Sequence, residues 1–156
     1  MSPQVWILAA TALAAAVFGG AMFSFSTFVM PALRELAPRD GILAMQSINR
    51  WAPKSLLLLP MGVLALGGVV VIGMGLLEGG DDRALKIVGA LLAIASLVIT
   101  GAANVPINNK VDALTAGSEA EGEWAAYAAV WCRWNHLRTV TSLASAVLLA
   151  VAAART

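Results

Sequence analysis

Charge is what this 156-residue chain has least of. Only 12% of its side chains are charged and 60% are hydrophobic, whereas ordinary soluble domains carry about 25% charged residues. That balance excludes an ordinary soluble domain. Cysteine occurs once, which excludes an internal disulfide, and there is no C-x-x-C pair to hold zinc or an iron–sulfur cluster. The net charge is +1 and no lysine/arginine cluster exists, so nucleic acid is not an expected partner. No glycine-rich nucleotide loop is evident. The opening MSPQ lacks a basic n-region, and the first apolar run is too long for a signal-peptide h-region. That run is therefore expected to remain as a helix.

What the chain does have is long apolar runs. Stretches of about 20 apolar residues mark bilayer-spanning helices, and four can be drawn, at about 5–30, 54–77, 84–105 and 135–153. The expected fold is all-α: one domain over 1–156, an integral membrane antiparallel four-helix bundle whose first partner is the lipid bilayer. Pro31 is expected to stop the first span and Pro106 to weaken or end the third. Between the first two spans, "PALRELAPRDGILAMQSINRWAP" is too polar to cross lipid and holds a short helix around Gly41 to Trp51. Ile42, Met45 and Ile48 give that helix an apolar face, as expected of one lying at the interface. Gln46, Asn49 and Arg50 form a separate polar face. In "EGGDDR", Asp81 and Asp82 fall near the positive end of the third helix. Ser118 and Glu121 have capping-box spacing, so a long last helix is expected to start there and run to about Ala153. The positive-inside rule places the connectors 31–53 and 106–134 in the cytoplasm, and the expected location is the bacterial inner membrane.

Unusual polar residues gather at one end of this bundle: Ser24, Ser26 and Thr27, the Gln46–Asn49–Arg50 face, Asn104 and Asn108, and the octet "WCRWNHLR" at 131–138. Polar groups in or just under hydrocarbon are costly and point to a site facing the bundle interior. At 100° per residue, Trp124, Tyr127, Trp131, Asn135, Arg138 and Ser142 make one narrow stripe. Small residues continue it at Ser145 and Ala146, so it is expected to point inward. Ala93, Leu97, Thr100, Asn104 and Asn108 align in the same way on the third helix, and Gly20, Ser24 and Thr27 on the first. His136 lies roughly 100° or more from Asn135 and Arg138, so an ideal helix cannot aim all three into one spot. Aromatic residues near a membrane boundary also have a plainer role as an interfacial belt, and Arg133 suits a snorkelling charge. Cys132 reads as a small buried apolar residue.

"FSTFVMPAL", "AMQSINR", "NVPINN" and "WCRWNHLRT", in that order along the chain, resemble the anthrone oxygenase-like family of small four-helix membrane proteins. Members with a known role oxidise anthrones to anthraquinones with molecular oxygen, without metal or flavin. The resemblance implies functional roles for Asn104, Asn108, Trp131, Asn135, His136 and Arg138. The residue inventory suits that chemistry. A proton must leave a carbon conjugated with a carbonyl, and His136 is the only imidazole available as base. The developing oxyanion needs donors, which Arg138, Asn135, Asn104 or Asn108 can supply. A flat aromatic substrate can stack on Trp131 or Trp134, with Gln46, Asn49 and Arg50 completing the binding set. No cofactor and no metal are expected, with oxygen as co-substrate. Haem held by His136 and one of Met22, Met30, Met45, Met61 or Met74 is the rival, weakened by the lack of a second convincing ligand. The expected partner is a hydrophobic aromatic small molecule, and a homo-oligomer is allowed. The alternative function is a non-catalytic membrane protein that binds a hydrophobic ligand or supports a partner complex.

Overall fold

The computed structural model describes residues 2–78, 80–115 and 121–156. Its helices are α1 (Pro3–Ser24), α2 (Met30–Glu35), α3 (Pro38–Trp51), α4 (Leu58–Glu78), α5 (Arg83–Ile99), α6 (Val105–Asp112) and α7 (Glu121–Arg155). Two π turns, Phe25–Val29 and Thr100–Asn104, join α1 to α2 and α5 to α6 without a break. The continuous helices Pro3–Glu35, Leu58–Glu78, Arg83–Asp112 and Gly122–Arg155 are each long and apolar enough to cross a membrane. They pack in a ring in chain order, and α7 closes back on α1. The faces turned outward are apolar, with Leu13, Val17, Leu66, Val69, Val140 and Val147 exposed. Ala15, Ala90, Ala93, Ser145 and Ala152 are buried between helices, as expected where membrane helices approach closely.

At 35 residues, α7 is about 52 Å long, well beyond a hydrocarbon thickness of roughly 30 Å. Its surplus forms a second storey. There α2, α3, α6 and the first turns of α7 share a core of Met30, Ile42, Met45, Val111, Trp124, Tyr127 and Trp131. The amphipathic α3 buries Ile42 and Met45, the face expected from its sequence, but against protein.

The prolines do not end their helices. Pro31 and Pro106 each follow a π turn with one residue between. Proline has no N–H, and its ring collides with the carbonyl four residues earlier in a regular α-helix. Those carbonyls belong to Thr27 and Ala102, both inside the π turns. Widening the turn there accommodates the ring and lets the helix continue. The extra residue also shifts the helical phase of the neighbouring positions. Ser26 faces α7, whereas Thr27, expected on the packed face, is exposed and donates to the Phe23 carbonyl at 2.8 Å. Ser24 is half-buried and donates to the Gly20 carbonyl.

Two expectations about helix starts resolve differently. Ser118 and the side chain of Glu121 lie outside the described residues, and α7 begins at Glu121. Asp82 is the N-cap of α5 but makes no side-chain capping bond. Its Oδ2 instead holds the buried Lys86 ammonium at 2.8 Å, and Glu78 lies 3.6 Å from the same Nζ. Gln4 donates to Glu78 and Thr156 to Asp82, so this cluster ties α1, α4, α5 and α7 together at the end opposite the second storey.

The packing has two measurable consequences. A Cβ at Gly41 would meet the Trp124 ring at 2.7 Å and the Leu33 carbonyl oxygen at 3.0 Å, while one at Gly62 would meet nothing within 4 Å. Thermal unfolding in detergent should show Gly41→Ala destabilised by about 1–3 kcal/mol, with Gly62→Ala unchanged or slightly stabilised. The Lys86 hydrogen bond holds the Asp82 carboxyl below its ordinary 3.8, against a smaller upward push from burial. A carboxyl whose pKa is lower folded than unfolded adds stability above the unfolded value, and that stability is lost as pH falls through the folded one. The unfolding temperature should therefore drop on acidification below about pH 4, and drop less in Asp82→Asn.

Candidate active site

The inner face of α7 carries Trp124, Tyr127, Trp131, Asn135, Arg138 and Ser142, all buried. Asn135 is fully buried and its amide is fully engaged. Nδ2 donates to the Met22 carbonyl and to Ser26 Oγ, each at 2.7 Å, and Oδ1 accepts from Arg138 Nη2 at 2.6 Å. The Met22 carbonyl stands at the entry to the first π turn, so Asn135 fastens α7 to the point where α1 departs from α geometry. A side chain inserted beside a helix ladder is one of the recognised accompaniments of such a departure.

One turn earlier, Trp131 Nε1 donates to Asn108 Oδ1 at 2.9 Å, and Tyr127 Oη donates to the same oxygen at 3.2 Å. Asn108 belongs to α6, so these bonds set the second π-turn helix against α7. On the other flank, Gln46 Nε2 donates to the Val111 and Leu114 carbonyls, each at 3.0 Å. Carbonyls at a helix C-terminus lack the partners of the helix interior; the Val111 carbonyl accepts from the Leu114 N–H at 3.2 Å, and α3 adds a donor to it and to the Leu114 carbonyl. Asn49 Nδ2 then donates to Asp112 Oδ1 at 2.9 Å.

These bonds frame a cavity of about 310 Å³, at the small end of the roughly 300–1,000 Å³ of ligand pockets. Phe18, Met22, Phe25, Met45, Met61 and Trp131 give it apolar walls, with Phe25 and Trp131 tilted at 52° and 5.6 Å apart. Its polar lining comes from Asn49, Thr100, Asn108, Asn109, Asp112 and Arg138. Arg138 is 6% exposed, and its guanidinium lies 5.4 Å from the centre of the Trp131 ring. It forms no ion pair with a carboxylate among the described residues, and its Nε has no hydrogen-bond partner. Removing a cation from water without a counter-charge costs several kcal/mol. Stacking on Trp131 offsets part of that, and the remainder is available to an incoming anion.

Apart from Asn104, the residues expected at the site from sequence divide into three groups. Asn108, Trp131, Arg138 and Asn49 line the cavity. Asn135 and Gln46 stand behind it and hold its walls. Arg50, Trp134 and His136 are exposed on the outside of the protein and do not line the cavity. For His136 the cause is geometric: α7 is regular through the octet, so a residue adjacent to Asn135 must point well away from it. A base for chemistry in the cavity has to be another group. Of the methionines considered beside His136 as haem ligands, Met22, Met30 and Met45 are buried in the interior, whereas His136 is exposed. Of the four aromatic residues at the start of α7, Trp134 is exposed as an interfacial belt requires, whereas Trp124, Tyr127 and Trp131 are inside.

Asn104 is buried at the end of the second π turn with neither amide atom partnered, and it does not line the cavity. Asp112 escapes a sequence reading because Pro106 hides the continuation of the helix. Its signal is nonetheless present, for Asn104, Asn108 and Asp112 recur every four residues on one helix face.

Fold and site together define a small four-helix membrane protein with a polar-ended, aromatic-walled cavity at one end of the bundle. A family model described as anthrone oxygenase matches residues 54–148, more than half of the chain, and the chain belongs to that family. The matched stretch carries "NVPINN" and "WCRWNHLR", and thus Asn108, Trp131, Asn135 and Arg138, and between the two motifs Asp112. Comparison with curated proteins and with solved structures found no match.

The two buried polar residues of α7 should respond differently to substitution. Asn135→Ala leaves the Arg138 guanidinium without its hydrogen-bond partner and the Met22 carbonyl with the Phe25 N–H alone, and should lower unfolding free energy in detergent by about 1–3 kcal/mol. Arg138→Met removes a buried charge while keeping much of the volume, and should stay within about 1 kcal/mol of the parent protein.

Proposed function

We propose that the protein is a membrane-embedded, cofactor-independent oxygenase acting on an anthrone or a similarly flat, lipophilic phenol or quinol. The observation that carries this reading is Arg138: a buried guanidinium without a carboxylate partner, stacked on Trp131 at the wall of an aromatic cavity. Loss of a proton from the methylene of an anthrone delocalises charge onto the carbonyl oxygen across the ring. A preorganised cation in a water-poor site stabilises such a developing oxyanion far more than water does. The resulting enolate is electron-rich enough to reduce molecular oxygen. Overall, a CH₂ group and one O₂ become a C=O group and one water.

The apolar walls supply binding and exclude water, and the cavity's modest volume favours a compact fused-ring molecule over a long-chain lipid. Such a substrate partitions into the bilayer, which suits a site at the end of a membrane-spanning bundle. Asn135 acts by aiming Arg138, and Asn108 by holding Trp131.

The test is oxygen uptake by the purified protein in nanodiscs with a panel of anthrones, with quinone formation measured in parallel. One O₂ should be consumed per quinone formed. Arg138→Met should lower kcat about 10²- to 10³-fold, as loss of an oxyanion donor does, while His136→Ala should leave it unchanged. Tight binding of the panel without oxygen consumption would instead identify a non-catalytic ligand-binding protein.

A further inference from the structure

Resting on the oxygenase reading, we infer that Asp112 is the catalytic proton acceptor, held in place by Asn49 as a positioning residue. Among the described residues lining the cavity, Asp112 is the one carboxylate and Arg138 the one cation. Asparagine, threonine, methionine and aromatic side chains make up the rest of its functional groups, and none of these is a useful base at neutral pH. His136 is outside.

The carboxylate is set for the task. Asn49 Nδ2 fixes Oδ1 at 2.9 Å, which leaves Oδ2 with no hydrogen bond from any described residue. Gln46, one turn earlier on α3, anchors the Val111 and Leu114 carbonyls on either side of Asp112. The backbone bearing the carboxylate is thereby clamped to the same helix that orients its side chain. Asp112 is exposed at the mouth of the cavity, where a captured proton can equilibrate with water.

The placement relative to Arg138 also suits the reaction. Asp112 stands one helical turn, about 6 Å, beyond Asn108. Asn108 holds Trp131 at 2.9 Å, and the Arg138 guanidinium lies 5.4 Å from the Trp131 ring centre. Carboxylate, cation and the Trp131 ring thus line one cavity. An anthrone presents its acidic CH₂ and its carbonyl oxygen at opposite edges of the central ring, so one molecule can offer each group to its own partner.

The steps balance. Asp112 Oδ2 takes a proton from the methylene carbon, and the C–H electron pair moves into the ring system as an enolate whose oxygen faces Arg138. The enolate carbon adds to O₂, forming a C–O bond and a peroxide anion, which takes the proton back from Asp112. The hydroperoxide then loses its second C–H proton as the O–O bond breaks. Hydroxide leaves and combines with that proton as water, and the carbonyl remains.

The experiment separates proton removal from oxygen chemistry. The purified protein in nanodiscs is mixed with anthrone in D₂O under argon, and methylene exchange is monitored by NMR against the protein-free rate. Binding of anthraquinone is measured on the same samples by fluorescence. The wild type should accelerate exchange, and Asp112→Asn should lose that acceleration at least 100-fold while binding anthraquinone within about threefold of wild type. Asp112→Glu, which keeps the carboxylate, should retain at least a tenth of the exchange and guards against a merely folding-related loss. Exchange undiminished in Asp112→Asn, with oxygen uptake intact, would overturn the assignment and leave the oxygenase reading standing. A wild type that neither exchanges anthrone nor consumes oxygen with it would overturn both.

Discussion

Both hydrogens of the Asn135 amide are given to the first helix, one to the Met22 carbonyl and one to the Ser26 hydroxyl, and its oxygen receives Arg138. In a low-dielectric interior each of these bonds is stronger than it would be in water, and each group would be costly if left alone. The contact therefore fixes the register of α7 on α1 at one level, and it sets the positions of Arg138 and Trp131 along the same helix. Without that register, Trp131 would not meet Asn108, nor Arg138 the cavity. The Lys86 cluster performs the corresponding service at the far end. Between the two, packing relies on small side chains and on apolar contact, which resist sliding less than directed bonds do.

The two π turns give the site its shape. Each precedes a proline by the same interval, and each gives a residue to the cavity wall, Phe25 and Thr100, so two of the four long helices change phase at the cavity. The first brings Ser26 to Asn135, and the second carries α6 onward to present Asn108 and Asp112. Single π turns inside α-helices often occur at functional sites. Here a plain mechanical cause, the proline ring, has the added result of projecting a polar helix past the membrane-spanning part.

How far the sequence speaks for itself differs between elements. The four apolar runs and the inward stripe from Trp124 to Ser142 are legible, because helical periodicity is a strong signal over a long regular helix. The off-phase position of His136 is legible too, and with it the difficulty of using that residue inside. Thr27 and Asp112 are not. Their placement depends on π turns, whose extra residue breaks the 100° rule, and proline ordinarily announces an end where here the helix goes on. The role of Gln46 and Asn49 in gripping α6 depends on contacts between distant segments, which periodicity within one segment does not encode. The apolar face of α3 is visible in the sequence, but whether it rests on lipid or on Trp124 and Val111 depends on the length of α7.

Arg138 and Asn135 sit on the last of the four spans, and this bears on how the molecule is made. A helix carrying a guanidinium and a carboxamide near its middle partitions poorly into bare hydrocarbon. By the time the ribosome delivers α7, however, α1 and α5 have already been synthesised, and with them the Met22 carbonyl, the Ser26 hydroxyl and the groove between two helices that α7 fills. The order of synthesis lets the most polar span enter the membrane against a prepared protein surface and not against lipid. A rearranged gene that placed this span first would have to insert the same residues with no partner waiting for them.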